Sequence, residues 1–211
     1  MKLLLPSILL THILLYTACG QKQPKHVNSL PNSQSINTLH PPTIDSSRPS
    51  TIETEEPTYS ENGTTYQLPT IQGKSITITD NGNIGFIFPQ YAGKIIIFEI
   101  MGKDCEYCKK ESPIINRIKR DFSNNVEVVA IQAQERMSPS ATSNFLSQRN
   151  INYPVIEGDD AKELLRFLSE TYGWTGILPY ILLVKNGSTE YTFSDGGVSY
   201  EELKESIQSL Q

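Results

Sequence analysis

The sequence predicts an α/β domain, a mixed central sheet with helices packed on its faces. Three observations predict it. Ile95–Ile100 is an apolar run of strand length with Glu99 set in its midst, as for a strand covered on both faces. A helical stretch follows it, and then a second buried strand, Val126–Gln132. That order argues for a parallel pair joined by a right-handed crossover. Late in the chain, after Pro179, two strands meet at Asn186-Gly187 and add antiparallel pairing.

The elements read in order as follows. Ser75–Thr79 alternates as a strand, Asn81-Gly82 signals a tight turn, and Ile84–Phe88 returns as a second strand, an N-terminal β-hairpin extension capping the sheet. The Ile95–Ile100 strand leads into a helix from about Cys105 to Phe122, then the Val126–Gln132 strand. Pro139–Arg149 and Asp160–Tyr172 read as helices, the first with proline in its opening turn. Tyr180–Lys185 and Glu190–Phe193 form the late hairpin. Tyr200–Leu210 is the closing helix, with Ser199 as its cap and Glu202 at the N3 position.

These elements span residues 59–211. The preceding residues 20–58 hold six of the thirteen prolines and no aromatic residue. Such a segment buries too little apolar area to offset the entropy of ordering, so a disordered tether spanning about 35 Å is expected. Residues 1–18 read as an export signal: Lys2, an apolar run over Leu3–Tyr16, then small residues before Cys19. The placement of Cys19 resembles the lipobox of bacterial lipoproteins, although Tyr16 stands where that pattern usually has leucine. The resemblance implies a lipid anchor at Cys19 and a place on the periplasmic side of a bacterial membrane. The net charge of -5 and the lack of a Lys/Arg stripe give nucleic-acid binding no support.

The chemistry concentrates at Cys105-Glu106-Tyr107-Cys108, where a buried strand meets a helix. The first helical turn presents unpaired N–H groups and a positive dipole end, which favour a thiolate. Cys108 follows one turn on, placed to resolve a mixed disulfide formed at Cys105. A purely structural bridge is the competing reading, but so short a loop restrains the unfolded chain little. A zinc site needs four ligands. The remaining cysteine is Cys19, and His12, His26 and His40 all precede the globular part, so neither metal nor cofactor is expected. The missing histidines also exclude Cys–His hydrolase chemistry there.

Two carboxylates stand near the pair. Glu99 lies in the apolar strand, where a charge is costly and a raised pKa would suit a proton shuttle; alternatively it sits at the strand's end and reaches water. Glu111 follows Cys108 by one helical turn; alternatively it lies on a solvated face beside Lys109 and Lys110.

The stretch FEIMGKDCEYCKKESPIINRIK, with Gly176-Ile177-Leu178-Pro179 opening a later strand, resembles thioredoxin-like proteins, the TlpA/ResA type most. The likeness runs from about Gly93 to the C-terminus and implies a thioredoxin fold. It further implies Cys105 as the attacking and Cys108 as the resolving cysteine, Glu99 as the buried acid and Glu111 as the acid after the motif. It implies Pro113 as a kinking proline and Pro179 as a cis-proline facing the cysteines. Leu178, Pro179, Glu106 and Tyr107 are then the substrate-binding residues. Asp104 departs from the tryptophan that thioredoxins usually carry before the first cysteine, and the sole tryptophan is Trp174.

Asp104 and Glu106 flank Cys105, and like charge raises a thiol's pKa, whereas Lys103, Lys109 and Lys110 act oppositely but are screened. With no histidine between the cysteines, a reductant is favoured, as the resemblance also implies. Its expected partners are disulfide-bearing exported proteins, apocytochrome c among them, and a membrane electron donor. A Dsb-type isomerase or oxidase, or a non-catalytic binding module, is the alternative.

Overall fold

The computed structural model describes residues 63–194 and 196–211. The export signal, Cys19, the tether and the start of the domain at Tyr59 lie outside the described residues.

Five strands form the main sheet, in the order β6-β5-β4-β7-β8. Its centre is β4 (Ile95–Met101), parallel to β5 (Val126–Gln132) and antiparallel to β7 (Tyr180–Lys185). At one edge β6 (Val155–Glu157) runs parallel to β5; at the other β8 (Ser188–Phe193) runs antiparallel to β7. The helices are α1 (Glu106–Asp121), α2 (Pro139–Gln148), α3 (Lys162–Tyr172) and α4 (Tyr200–Ser209). Helix α4 opens with the expected capping box between Ser199 and Glu202.

Strand β4 separates two cores. Because side chains alternate along a strand, Ile95, Ile97 and Met101 face α1 and α4, packing with Ile115, Ile118, Leu203 and Ile207. Ile96, Phe98 and Ile100 face the other way, against Leu164 and Leu168 of α3. The same alternation puts Glu99 on the α1 side, the side on which Cys108 is buried.

The N-terminal extension is larger than the expected hairpin. It is a three-stranded antiparallel sheet of β1 (Thr65–Pro69), β2 (Ser75–Asp80) and β3 (Phe86–Ile87). The second hairpin strand therefore shrinks from Ile84–Phe88 to two residues, and most of the pairing of β2 is with β1 instead. Phe86 and Phe88 lock this sheet onto the main one, each edge-on to Phe98 at 5.3 and 5.4 Å. Strand β1 escaped the sequence reading because its inward positions pair one apolar residue, Leu68, with the half-buried Tyr66 and the polar Thr70, a weak alternation that ends at Pro69. Strand β6 escaped because it is three residues long.

Candidate active site

The first turn of α1 carries the two cysteines. Cys105 is the N-cap, in extended conformation, and its sulfur accepts the backbone N–H of Cys108 at 3.0 Å. A thiolate at this atom gains that hydrogen bond and the positive end of a sixteen-residue helix. The two sulfurs are joined in a disulfide. Cys105 remains partly exposed while Cys108 is fully buried, so one sulfur can be reached from outside and the other cannot. Pro113 lies inside α1, as expected.

The expected substrate-binding residues gather around this tip. The Leu178–Pro179 peptide is cis, and Leu178 packs with Cys105 against the core cluster that contains Cys108. Tyr107, within the motif, is 58% exposed, and Ile177, just before Leu178, is 53% exposed. Trp174 braces that loop, donating from Nε1 to the carbonyl of Ile177 at 3.0 Å. Glu106 is exposed. Lys103 is engaged by Asp104 at 2.7 Å and Glu135 at 3.2 Å.

Both carboxylates point inward, and both outward alternatives fail. Glu99 has no exposed surface and does not reach water at the strand's end. Glu111 is 2% exposed rather than on a solvated face, although Lys109 and Lys110 beside it are exposed. Glu111 accepts the backbone N–H of Val198 at 2.8 Å, tying α1 to the loop before α4. Gly197 makes this approach possible: its φ is +90°, and a Cβ there would lie 2.9 Å from Glu111 Oε1 and 3.6 Å from Pro179 Cγ. The 196–198 loop thus joins the proline loop to the motif helix, a connection the sequence reading missed although two adjacent glycines mark it.

Tyr153 and Arg149 were also missed. The Tyr153 hydroxyl donates to Glu99 Oε2 at 3.4 Å, and Tyr153 is 2% exposed. Arg149, which ends α2, donates from one nitrogen to the carbonyls of Gly102 at 3.1 Å and Lys103 at 2.7 Å. Neither residue has a sequence signal, since an arginine at a helix end and a tyrosine before a proline are ordinary.

Burial pushes the Glu99 carboxyl up to about 8; Glu111 adds to the rise, and the Arg149 cation and Tyr153 hydroxyl oppose it. The unfolded chain releases this proton near 4.5 whereas the folded protein keeps it, so the stability that Glu99 itself contributes is fully present in acid and is lost as pH rises towards 8. The loss reaches up to roughly 5 kcal/mol and is constant above that range. Glu99→Gln is expected to flatten this slope in urea unfolding of the oxidised protein at pH 5 and pH 8. An unchanged slope would assign the titration to another group.

The profile of the AhpC/TSA family matches residues 61–187, more than half of the chain. The chain belongs to the AhpC/TSA family. The family match begins at the small N-terminal sheet, earlier than the Gly93 boundary of the motif-based likeness. Within one hundred residues the chain is 32% identical to the thiol-disulfide oxidoreductase ResA of Bacillus subtilis (strain 168), which covers 47% of this chain. The chain spans about half (49%) the length of that curated relative. Among solved structures it is similar to a thiol:disulfide interchange protein of Chlorobium tepidum TLS, with a TM-score of 0.54 and 16% identity, covering 74% of this chain and 97% of that one. It is similar also to the thioredoxin domain of a thiol-disulfide oxidoreductase of Bacteroides vulgatus, with a TM-score of 0.51 and 15% identity, covering 73% and 99%. At these identities the likeness establishes the fold: this AhpC/TSA member has the thioredoxin fold expected of it, with a mixed sheet, flanking helices and an added antiparallel sheet.

Proposed function

We propose that this AhpC/TSA member is a thiol–disulfide oxidoreductase that works outside the cytoplasm and reduces disulfides of exported proteins. The observation that carries the reading is the asymmetry of the sulfurs: a partly exposed Cys105 capping α1 and a fully buried Cys108 one turn inside, beside the Leu178–Pro179 loop.

In the reduced protein the Cys105 thiolate attacks one sulfur of a client disulfide, forming a mixed disulfide and releasing one client thiolate. Cys108 then loses its proton to the Glu99 carboxylate and attacks the sulfur of Cys105. The second client sulfur leaves as a thiolate, the Cys105–Cys108 disulfide forms, and the two client thiolates take up one proton from Glu99 and one from water. The client has gained two electrons and two protons. A dithiol on a membrane electron donor reverses the change by the same two exchanges. Glu111 holds the 196–198 loop against the proline loop through its bond to Val198. Leu178, Pro179, Glu106 and Tyr107 receive the client's extended chain.

A membrane setting is supported by the export-signal pattern of residues 1–18 and the lipobox-like placement of Cys19. A client such as apocytochrome c, whose thiols must be reduced before haem attachment, fits a reductant held there. The likeness to the Bacillus subtilis thiol-disulfide oxidoreductase supports the reaction class.

Equilibrating the protein with glutathione and measuring the fraction of Cys105–Cys108 disulfide tests the direction. A reductase is expected to be more reducing than about −220 mV. A potential near about −120 mV, that of a strong oxidant, would overturn the reductase reading in favour of a Dsb-type oxidase.

A further inference from the structure

We propose that Arg149 is a positioning residue of the redox site: it clamps the turn that leads into Cys105, and its buried cation acts through space on the Glu99 carboxylate. The inference deepens the reading above and rests on it for the catalytic consequence.

Arg149 ends α2 and is 8% exposed, a rare situation for an arginine that is not anchoring something. Its Nη2 reaches two successive carbonyls, those of Gly102 and Lys103, which lie between the end of β4 and the cysteine motif. Its own carbonyl accepts the side-chain amide of Asn116 in α1 at 2.8 Å. One residue therefore links the end of the strand that carries Glu99, the turn before Cys105 and the helix that carries Cys108. The guanidinium lies over the Phe145 ring, 4.7 Å from its centroid, which fixes its plane.

The electrostatics follow from placement. The groups acting on Glu99 are Glu111 from α1, Arg149 from the end of α2 and Tyr153 from the segment before β6. Of these, Arg149 alone is a cation. Buried in low dielectric, its charge acts on the carboxylate far more strongly than a surface lysine would. Burial lowers the pKa of Arg149 itself, and Glu99 resists that change. Each of the two favours the charged form of the other.

The consequence concerns the resolving step. The anionic form of Glu99 accepts the Cys108 proton, and Arg149 keeps that form within reach of neutral pH. Without the cation, Glu99 stays protonated to higher pH and Cys108 resolves mixed disulfides more slowly.

The test uses three variants, Arg149→Met, Arg149→Gln and Arg149→Lys, in oxidised protein carrying ¹³C-labelled glutamate. NMR follows the Glu99 side-chain carboxyl through pH 5 to 10, with Glu99→Gln for assignment. Met and Gln are expected to move the Glu99 midpoint up by about one pH unit or more, whereas Lys, retaining the charge, leaves it closer to wild type. In the reduced proteins, mixed disulfides at Cys105 are expected to live about ten times longer at pH 7 in the Met and Gln variants. A folded Met or Gln variant with an unmoved midpoint would overturn the proposal. So would a failure of both to fold while Lys folds with a shifted midpoint, which would leave Arg149 a structural clamp. The NMR midpoint does not depend on client reduction, so it stands apart from any failure of the oxidoreductase reading itself.

Discussion

Cys105→Ser is expected to abolish reduction of insulin disulfides, by at least about 10³-fold relative to wild type. The structure makes this substitution clean. Serine is a favoured N-cap, and its oxygen can accept the Cys108 N–H that the sulfur accepts now, so α1 keeps its start. Loss of activity would then report loss of the nucleophile and not of the fold. Cys108 cannot stand in, because it has no exposed surface from which to attack a client. Cys108→Ser is expected to differ in kind: Cys105 still attacks, but the mixed disulfide persists and accumulates as a higher-mass adduct that dithiothreitol removes. Equal insulin reduction by wild type and Cys105→Ser would eliminate the enzyme reading and leave a binding module. Adducts on Cys108 in the Cys105→Ser protein would reverse the assignment of roles.

Gly85→Ala is expected to cost about 3 kcal/mol through steric overlap and lost hydrogen bonds, lowering Tm by roughly 6–12 °C. A Cβ at Gly85 would lie 2.5 Å from the Gly187 oxygen, 2.6 Å from the Thr189 nitrogen and 2.7 Å from the Ser188 carbonyl carbon. All three are backbone atoms of the β7–β8 turn and cannot rotate away. Separating the strands enough to admit a methyl group would weaken the 2.8 Å bond from the Thr189 N–H to the Ile84 carbonyl and the 3.3 Å bond from the Asn81 amide to the Gly187 carbonyl. These bonds fasten the small sheet to the main one. The turn lies at the far end of β7 from Pro179, roughly 20 Å away along a six-residue strand. Activity per folded molecule is therefore expected to match wild type at low temperature. An unchanged Tm would show that the small sheet is held by its aromatic contacts alone. Lost activity with an intact fold would show that the small sheet shapes the site.

Strong local patterns were readable in the residues. Strand β4 declared itself through consecutive isoleucines, α4 through Ser199 and Glu202, and the late hairpin through Asn186-Gly187. The motif cysteines were evident from their spacing and their position after a buried strand. Elements with weak patterns were not: β1 shows one buried side chain, and β6 has three residues. The inward turn of Glu111 was equally hidden. A glutamate among two lysines reads as solvated, and what buries it is Val198, eighty-seven residues on, at a distance of 2.8 Å.

The sequence by itself determined the α/β class, the cysteine pair at a helix start and the chemistry open to it, because periodicity, capping and spacing are local properties of the chain. Tertiary structure alone decided which sulfur is reachable, that Glu99 shares its burial with Glu111, Tyr153 and Arg149, and that Gly197 closes the loop over the motif helix. Those outcomes depend on groups far apart in sequence meeting in a low-dielectric interior, where the strength of each charge is set by its neighbours and not by its own residue type.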